Sequence, residues 1–582
     1  MANSRLRKLG SYLRPHWRMV LLGTIALLIV NLLGVYIPLL IKDSIDQLEG
    51  EFSFNQLSRT ALWLLLLSAI MWCFRMYSRT SIFGIGRQVE FGLKQRIFQH
   101  LLTIEPGYFS NNTSGDLINR ATSDVDNIRR LVGFALLSFI NIIFAYAFTL
   151  PVMLKINVRL TILAIAVYPF MLLTVQLFSG KLRRYQEEIQ VKLSDLSELI
   201  QEDMSGMALI RIYAQENQER AAFSQKNQQL LESNLKLAQV RNLLFPVIEG
   251  ISYISLLILL WVGTKAIAAG QITIGDFIAL VLFVERLVFP TALLGFTITA
   301  YQQGEISIDR VESVTQAKPK IKNTAKAIIL PSTEIKGAIT ARNLTYTYPG
   351  SNTPALYDLN FEIQPGETVA IVGSIGSGKS TLANAIPRLL NIAEGELFLD
   401  NCDITKLELG SLRKAIAYVP QDSFLFSTTI KNNIRYGEPL AETAEVIQSA
   451  QQAQIHPEIL TFPQEYDTLV GERGITLSGG QRQRTALARA LLADAKVLIL
   501  DDSLSSVDNE TATKILNSLS PTTAKKTVIF ISHQLSAAAT CDRILVMDQG
   551  KIVQNGTHAT LVQETGLYQS LWQQHRLKEV LN

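Results

Sequence analysis

Residues 21–41, 131–154 and 160–180 each run for more than twenty positions without a single Asp, Glu, Lys or Arg. Such runs constrain the fold strongly. A helix of about 20 apolar residues is what crosses the hydrocarbon core, where unpaired backbone N–H and C=O groups are costly. Residues 57–77, 242–263 and 277–301 are as long and only lightly interrupted by charge. Six spans are expected, and an even count returns both chain ends to one side.

The flanking charges say which side. Residues 43–58 hold four acids and no Lys or Arg, whereas residues 181–241 hold nine basic residues, and Arg5, Arg7, Lys8, Arg14 and Arg18 precede the first run. Basic residues accumulate on the cytoplasmic side of membrane proteins. Both ends are therefore expected in the cytoplasm, with the chain an integral multi-pass protein of a bacterial inner membrane. No small-residue cleavage site follows the first run, so the N-terminus reads as an uncleaved flank.

Up to Lys336 the chain carries 34 Lys and Arg against 25 Asp and Glu; of the totals of 54 and 50, the remainder holds 20 and 25. The basic part is also the apolar part, so its charge belongs to span flanks and no nucleic-acid partner is expected. Cys73, Cys402 and Cys541 are scattered and odd in number, which supports neither a disulfide framework nor a zinc site.

The expected inner connections, residues 81–130 and 181–241, are long and polar. They keep apolar residues at helical spacing, as at Val89, Leu93, Ile97 and Leu101, and read as helices carried far beyond the membrane. Inside the spans, Glu249, Glu285 and Arg286 are functional candidates, because ionisable groups are expensive there. Helix neighbours point about 100° apart, so Glu285 and Arg286 cannot simply neutralise each other. A polar transport pathway and an interhelical salt bridge both remain open. Pro246 and Pro290 lie nearby and suit helices that bend.

Residues 315–336 form a linker bearing Lys318, Lys320, Lys322, Lys326, Pro319 and Pro331. It separates an expected transmembrane domain, 1–314, from a soluble one, 337–582. In the latter, short β-rich runs alternate with helices, the pattern of an α/β nucleotide-binding core with ligands at strand C-termini. The run at 368–372 leads into Gly373-Ser374-Ile375-Gly376-Ser377-Gly378-Lys379-Ser380, with Thr381 next, and then into a helix. This is a P-loop in its required context. Backbone N–H groups of the glycine turn wrap phosphate oxygens, and the helix N-terminus favours their charge. Lys379 is expected to reach the β- and γ-phosphates and Ser380 to ligate Mg²⁺. The apolar run at 497–500 ends in Asp501-Asp502, which places one carboxylate for Mg²⁺ and a second near the attacking water.

Leu477-Ser478-Gly479-Gly480-Gln481, followed by Arg482-Gln483-Arg484, resembles the signature loop of ATP-binding cassette (ABC) proteins. Other motifs of that family are similar and in order: Tyr348 before Pro349, Gln421, Gly471-Glu472-Arg473-Gly474, Ser505-Ser506-Val507-Asp508 and His533. With the six spans ahead of it, nearly the whole chain resembles the exporter half-transporters that include multidrug and lipid pumps. The resemblance implies an α-helical six-span transmembrane domain plus an α/β P-loop ATPase, the ABC nucleotide-binding domain. It also implies that Tyr348 stacks on adenine, that Gln421 senses the γ-phosphate and joins Ser380 and Asp501 at the metal, and that His533 contacts the γ-phosphate. Tyr346 shares a strand face with Tyr348, so position alone leaves both open. Residues 111–117 and 203–208 are implied to carry coupling contacts.

By the same resemblance, Ser478, Gly479, Gly480 and Gln481 cap the ATP of a partner's P-loop, which makes a second half-transporter obligatory. Most active members carry Glu where this chain has Asp502. Aspartate keeps the carboxylate but is one methylene shorter, and about 1 Å of misplacement can cost about 100-fold in rate. A heterodimer with a weakened site at Asp502 is therefore expected over a homodimer with slow hydrolysis. The transported molecule, whether a small molecule, a lipid or a peptide, leaves no mark that identifies it. An ATP-gated channel or regulatory subunit remains a rival. A DNA-repair or chromosome-organising ATPase and an importer are disfavoured by the fused spans.

Overall fold

A computed structural model describes residues 2–48, 54–331, 333–507, 510–515 and 526–581. They fall into two units: Met1–Leu102 with Asn112–Ala317, and Thr103–Asn111 with Lys318–Asn582.

In the first unit, six helices among the described residues are long and apolar enough to cross a membrane: α1 (Arg7–Gln47), α2 (Leu57–Leu101), α3 (Ser114–Ile156), α4 (Val158–Ser205), α5 (Glu216–Ala268) and α6 (Ile274–Thr315). Their boundaries follow local chemistry. Asn157 caps α4 by accepting the Leu160 N–H at 3.0 Å, and Thr273 and Asp276 form a reciprocal capping box at the start of α6. Gly206 ends α4, and the short helix Met207–Ile212 turns the chain toward α5. Pro38, Pro151, Pro246 and Pro290 all lie inside helical stretches.

Helix α6 packs against α1, α3, α4 and α5 and buries Ala279, Leu280, Phe283, Val284 and Leu287 completely. A 2.8 Å ion pair joins Lys42 of α1 to Asp276, and the Gly275 N–H donates to Asp46 Oδ1 at 2.9 Å. Helix α2 divides in two. Residues 57–77 hold no buried residue, so their apolar side chains need lipid or another chain to cover them. From Ser78 onward, Ile82, Ile85, Val89, Leu93 and Ile97 form a buried stripe at helical spacing, packed against the first half of α3. Leu101 is only half-buried at the end of that stripe.

The second unit contains two sheets. Strands β1 (Ile339–Tyr346), β2 (Leu356–Ile363), β4 (Leu397–Leu399) and β5 (Cys402–Asp403) form an antiparallel sheet of order β2-β1-β4-β5. Strands β3 (Thr368–Gly373), β6 (Ile416–Val419), β7 (Val497–Asp501), β8 (Thr527–Ile531), β9 (Arg543–Asp548) and β10 (Lys551–Gly556) form the larger sheet, of order β10-β9-β3-β8-β7-β6. Strands β9, β3, β8, β7 and β6 run parallel, and β10 lies antiparallel at one edge. Every residue of β7 and β8 is buried, as expected where both sheet faces are covered. The parallel register pairs Asp501 with Ile531 and Gly373 with Met547. The turns after β3, β7 and β8 therefore open at one edge of the sheet, where ligands of open α/β folds bind. In this unit the Lys320 N–H also donates to Glu105 Oε2 at 3.1 Å.

Candidate nucleotide site

The turn after β3 is held in shapes that need glycine. Gly373 has φ 152° and Gly378 has φ 95°, and a Cβ at either would run into a backbone carbonyl, of Met547 or of Ala355. Helix α7 (Lys379–Ala385) starts directly from Gly378. Lys379 folds back over the turn, donating to the carbonyls of Ser374 at 2.8 Å and Gly373 at 3.1 Å, with Ser377 Oγ at 3.4 Å. Burial pushes its ammonium below the ordinary lysine range, and the charges of Asp502 and Asp501 oppose that shift. Gly376, also at positive φ, forms the open crest of the turn.

At the end of β7, Asp501 is buried and accepts hydrogen bonds from Ser380 Oγ at 3.0 Å and from the Tyr418 hydroxyl at 3.2 Å. Burial raises its carboxyl above the ordinary range, and these two donors hold the rise in check. Asp502 sits at φ 47°, its N–H donating to the Ile531 carbonyl at 2.8 Å. Its Oδ1 is buried with no hydrogen-bond partner, and its Oδ2 meets Gln421 Nε2 at 3.5 Å. Tyr348 reaches Thr381, hydroxyl to hydroxyl, at 3.2 Å and packs edge-on to Tyr346, ring centroids 5.1 Å apart. His533 follows β8, is exposed, and shares a cavity of about 310 Å³ with Gly373 and Ile375. Ser380, Asp501 and Gln421 offer a hydroxyl, a carboxylate and an amide. Hard oxygen donors of this kind fit Mg²⁺, which keeps most of its waters.

The signature residues form a separate group. Helix α8 (Gly479–Leu492) is capped by Ser478, which accepts the Gln481 N–H at 3.2 Å while Gln481 Oε1 accepts the Ser478 N–H at 2.9 Å. Gln481 Nε2 donates to Glu458 at 3.0 Å, and Arg484 pairs with the same carboxylate at 2.6 Å. A Cβ at Gly480 would press on the Ser506 carbonyl, and Gly479 faces the Ser506 side chain. Gln483 donates to Ser505 Oγ at 3.0 Å and accepts the Ser506 N–H at 2.9 Å. This ties α8 to the loop after Asp502. Asp508, the last residue of that loop motif, lies outside the described residues.

Three contributors escaped the motif reading. Tyr418 bridges Asp501 and Asn384, the latter at 3.1 Å, and Ser374 Oγ donates to Asp548 at 2.6 Å. Strand alternation in β6 would have flagged Tyr418 as facing β7's end only after the two strands were paired.

Residues 20–291 match the family described as ABC transporter transmembrane region, and residues 356–505 the family described as ABC transporter. The multidrug resistance-like ATP-binding protein MdlA of Escherichia coli (strain K12) is 30% identical over 99% of this chain and 97% of its own. The ATP-dependent lipid A-core flippase of Syntrophus aciditrophicus (strain SB) is 32% identical over 98% and 94%. The structure of a bacterial Atm1-family ABC exporter with ATP bound aligns with a TM-score of 0.78 at 25% identity, over 96% of this chain and 99% of that one. Six membrane-length helices, a P-loop turn and a signature helix thus occur together in one chain with relatives along almost its full length, and the protein belongs to the ABC transporter family as an exporter-type half-transporter, an integral membrane protein whose ATP-binding cassette is an ATPase coupled to transport.

Proposed function

We propose that this chain exports a hydrophobic or amphipathic molecule as one subunit of a heterodimer, with its own P-loop forming the slower of two ATP sites. The observation that carries this reading is Asp502: a short carboxylate follows Asp501, with one oxygen buried and unpartnered and the other 3.5 Å from Gln421. A glutamate reaches one methylene further, and the partner is inferred to supply it at the faster site.

In this reading Tyr348 stacks on adenine, and Gly373, Ser374, Gly376, Ser377 and Gly378 present backbone N–H groups to the phosphates. Lys379 exchanges its carbonyl contacts for the β- and γ-phosphates. Ser380, Asp501 and Gln421 would hold Mg²⁺, which when bound would neutralise phosphate charge. Asp502 orients the water that attacks the γ-phosphorus, and His533 bonds the γ-phosphate as ADP becomes the leaving group. Ser478, Gly479, Gly480 and Gln481 cap the partner's ATP. Support for this last role comes from their geometry: among the described residues, Ser478 and Gln481 bond each other and Gln481 bonds Glu458, while the neighbouring Gln483 ties the helix to the Ser505–Ser506 loop, and none of these bonds reaches the glycine turn of the same chain.

Closure of the two cassettes turns the membrane cavity outward, and hydrolysis resets it. Nucleotide drives this only through its differential affinity for the two states. Residues 1–314 act as the transmembrane domain, 315–336 as linker and 337–582 as cassette, with the cassette and both termini on the cytoplasmic side of a bacterial inner membrane. The relatives' names, multidrug resistance and lipid A-core flippase, point toward drug-like or lipid cargo.

The test is ATP turnover by the purified chain alone and by the chain co-purified with a candidate partner half-transporter. Slow turnover alone and fast turnover together, abolished by changing the partner's glutamate but not by Asp502→Asn, supports the heterodimer. Brisk hydrolysis by this chain alone overturns it, and slow hydrolysis by a self-paired chain that still transports substitutes the homodimer.

A further inference from the structure

The membrane unit contains a cavity of about 490 Å³ that draws on α1, α2, α3 and α6 and is lined by Arg75, Arg79, Glu285 and Arg286 together with Asn31 and Asn141. Three guanidiniums against one carboxylate leave a net positive charge of two, in a cavity whose remaining lining is mostly apolar. Among the described residues, none of the three arginines forms an ion pair. Unpaired charge at membrane depth is costly and marks substrate pathways.

Arg286 is held in place by a network spanning three helices. Its Nη2 donates to the Asn31 carbonyl at 2.9 Å and to Asn31 Oδ1 at 3.1 Å, while Asn31 Nδ2 donates to Asn141 Oδ1 at 3.1 Å. Gly34 leaves the space the guanidinium occupies, since a Cβ there would collide with it. The other nitrogen, Nη1, is buried and has no hydrogen-bond partner. A guanidinium fixed on one side and unsatisfied on the other is suited to an oxyanion, which accepts from planar N–H groups. Around it, Ile37 and Phe289 are among the apolar lining residues. The volume lies in the range that encloses a drug-sized molecule.

We propose that this cavity binds an anionic amphiphile, a molecule with a phosphate, sulfonate or carboxylate head and an apolar body. The head rests on Arg286 with Arg75 and Arg79 adding charge, and the body lies against the apolar wall. Glu285 disfavours a second negative charge beside the head and discriminates against polyanions. The inference rests on the exporter reading above and names the class of molecule that site selects.

The test uses the full-length chain in nanodiscs of zwitterionic lipid and measures binding of dodecyl phosphate, dodecyltrimethylammonium, dodecyl maltoside and inorganic phosphate. Dodecyl phosphate is expected to bind at least tenfold more tightly than each of the others. Arg286→Gln is expected to weaken it about tenfold, Arg286→Lys to recover part of the loss, and Arg79→Gln, at an exposed position, to weaken it several-fold. Addition of phosphatidylglycerol that displaces dodecyl phosphate identifies a lipid as the natural source of the head; no displacement assigns it to a water-borne anion, and either result keeps the proposal. Equal binding of the cation, equal binding of phosphate without a chain, or full affinity in both Arg286→Gln and Arg79→Gln overturns it. ATP binding is read on the same samples: its presence with no charge selectivity refutes this inference alone, whereas its absence refutes the exporter reading.

Discussion

A buried lysine in one unit and a half-buried arginine in the other are treated in opposite ways. Lys379 donates to two carbonyls of its own turn, beside the carboxylates Asp501 and Asp502. Arg286 is hydrogen-bonded on one nitrogen and unsatisfied on the other, with no carboxylate paired to it among the described residues. The cassette holds its charge in a preorganised, self-compensated site for a ligand whose shape never varies. The membrane unit leaves charge uncompensated in a roomier, apolar cavity, as suits a ligand recognised by class.

The contrast is most severely tested by removing the first cation. Lys379→Ala is expected to lower single-turnover ATP hydrolysis at its own site about 10³-fold, the upper end of losses seen when one preorganised donor to a transition state is deleted. Arg286→Gln should cost hydrolysis at that site far less, so equal losses in the two variants would erase the distinction. Asp502→Glu comes next: restoring the missing methylene is expected to raise turnover at that site by up to about 100-fold. Single-turnover hydrolysis would register this, and an unchanged rate would remove Asp502 as the cause of slowness. Tyr348→Ala should weaken ATP binding about tenfold through lost stacking on adenine, measured by equilibrium titration, while Tyr346→Ala should not.

The smallest effect concerns pH. Burial raises the Asp501 carboxyl, yet Mg²⁺ needs it ionised, so Mg-ATP affinity is expected to fall on acidification from a pH above the ordinary carboxylate range. Tyr418→Phe removes a donor to the charged form, worth about 1 kcal/mol. It should move that fall to higher pH. Without ligand the sign reverses. A folded carboxyl raised above its unfolded value favours the native state at low pH and loses that contribution as pH rises from the unfolded value to the folded one. Thermal melts across pH with and without Mg-ATP should therefore diverge in slope.

The same contrast explains what could be read in advance. The P-loop turn is written in eight consecutive residues because phosphate is bound by local backbone, and the signature cap is likewise short-range, Ser478 to Gln481. The six spans were legible because membrane length is a local count. The Arg286–Asn31 bond was not, since it joins residues 255 positions apart and depends on how two helices are rotated about their axes. Tyr418 escaped for a similar reason, being 83 positions from Asp501 and placed only by strand order. Adjacency on one helix says that Glu285 and Arg286 do not neutralise each other; whether Arg286 meets a carboxylate of another helix or, as here, Asn31 is not written locally.

Gln483 joins the first turns of α8 to Ser505 and Ser506 with both ends of its amide. In the proposed pair, α8 addresses the neighbour's nucleotide while that loop leaves the chain's own Asp501-Asp502 corner. One amide therefore lies between two sites that share no ligand. A substitution there need not weaken either grip to do harm: it would let each site fire without news of the other, and fuel would be spent on strokes that move nothing.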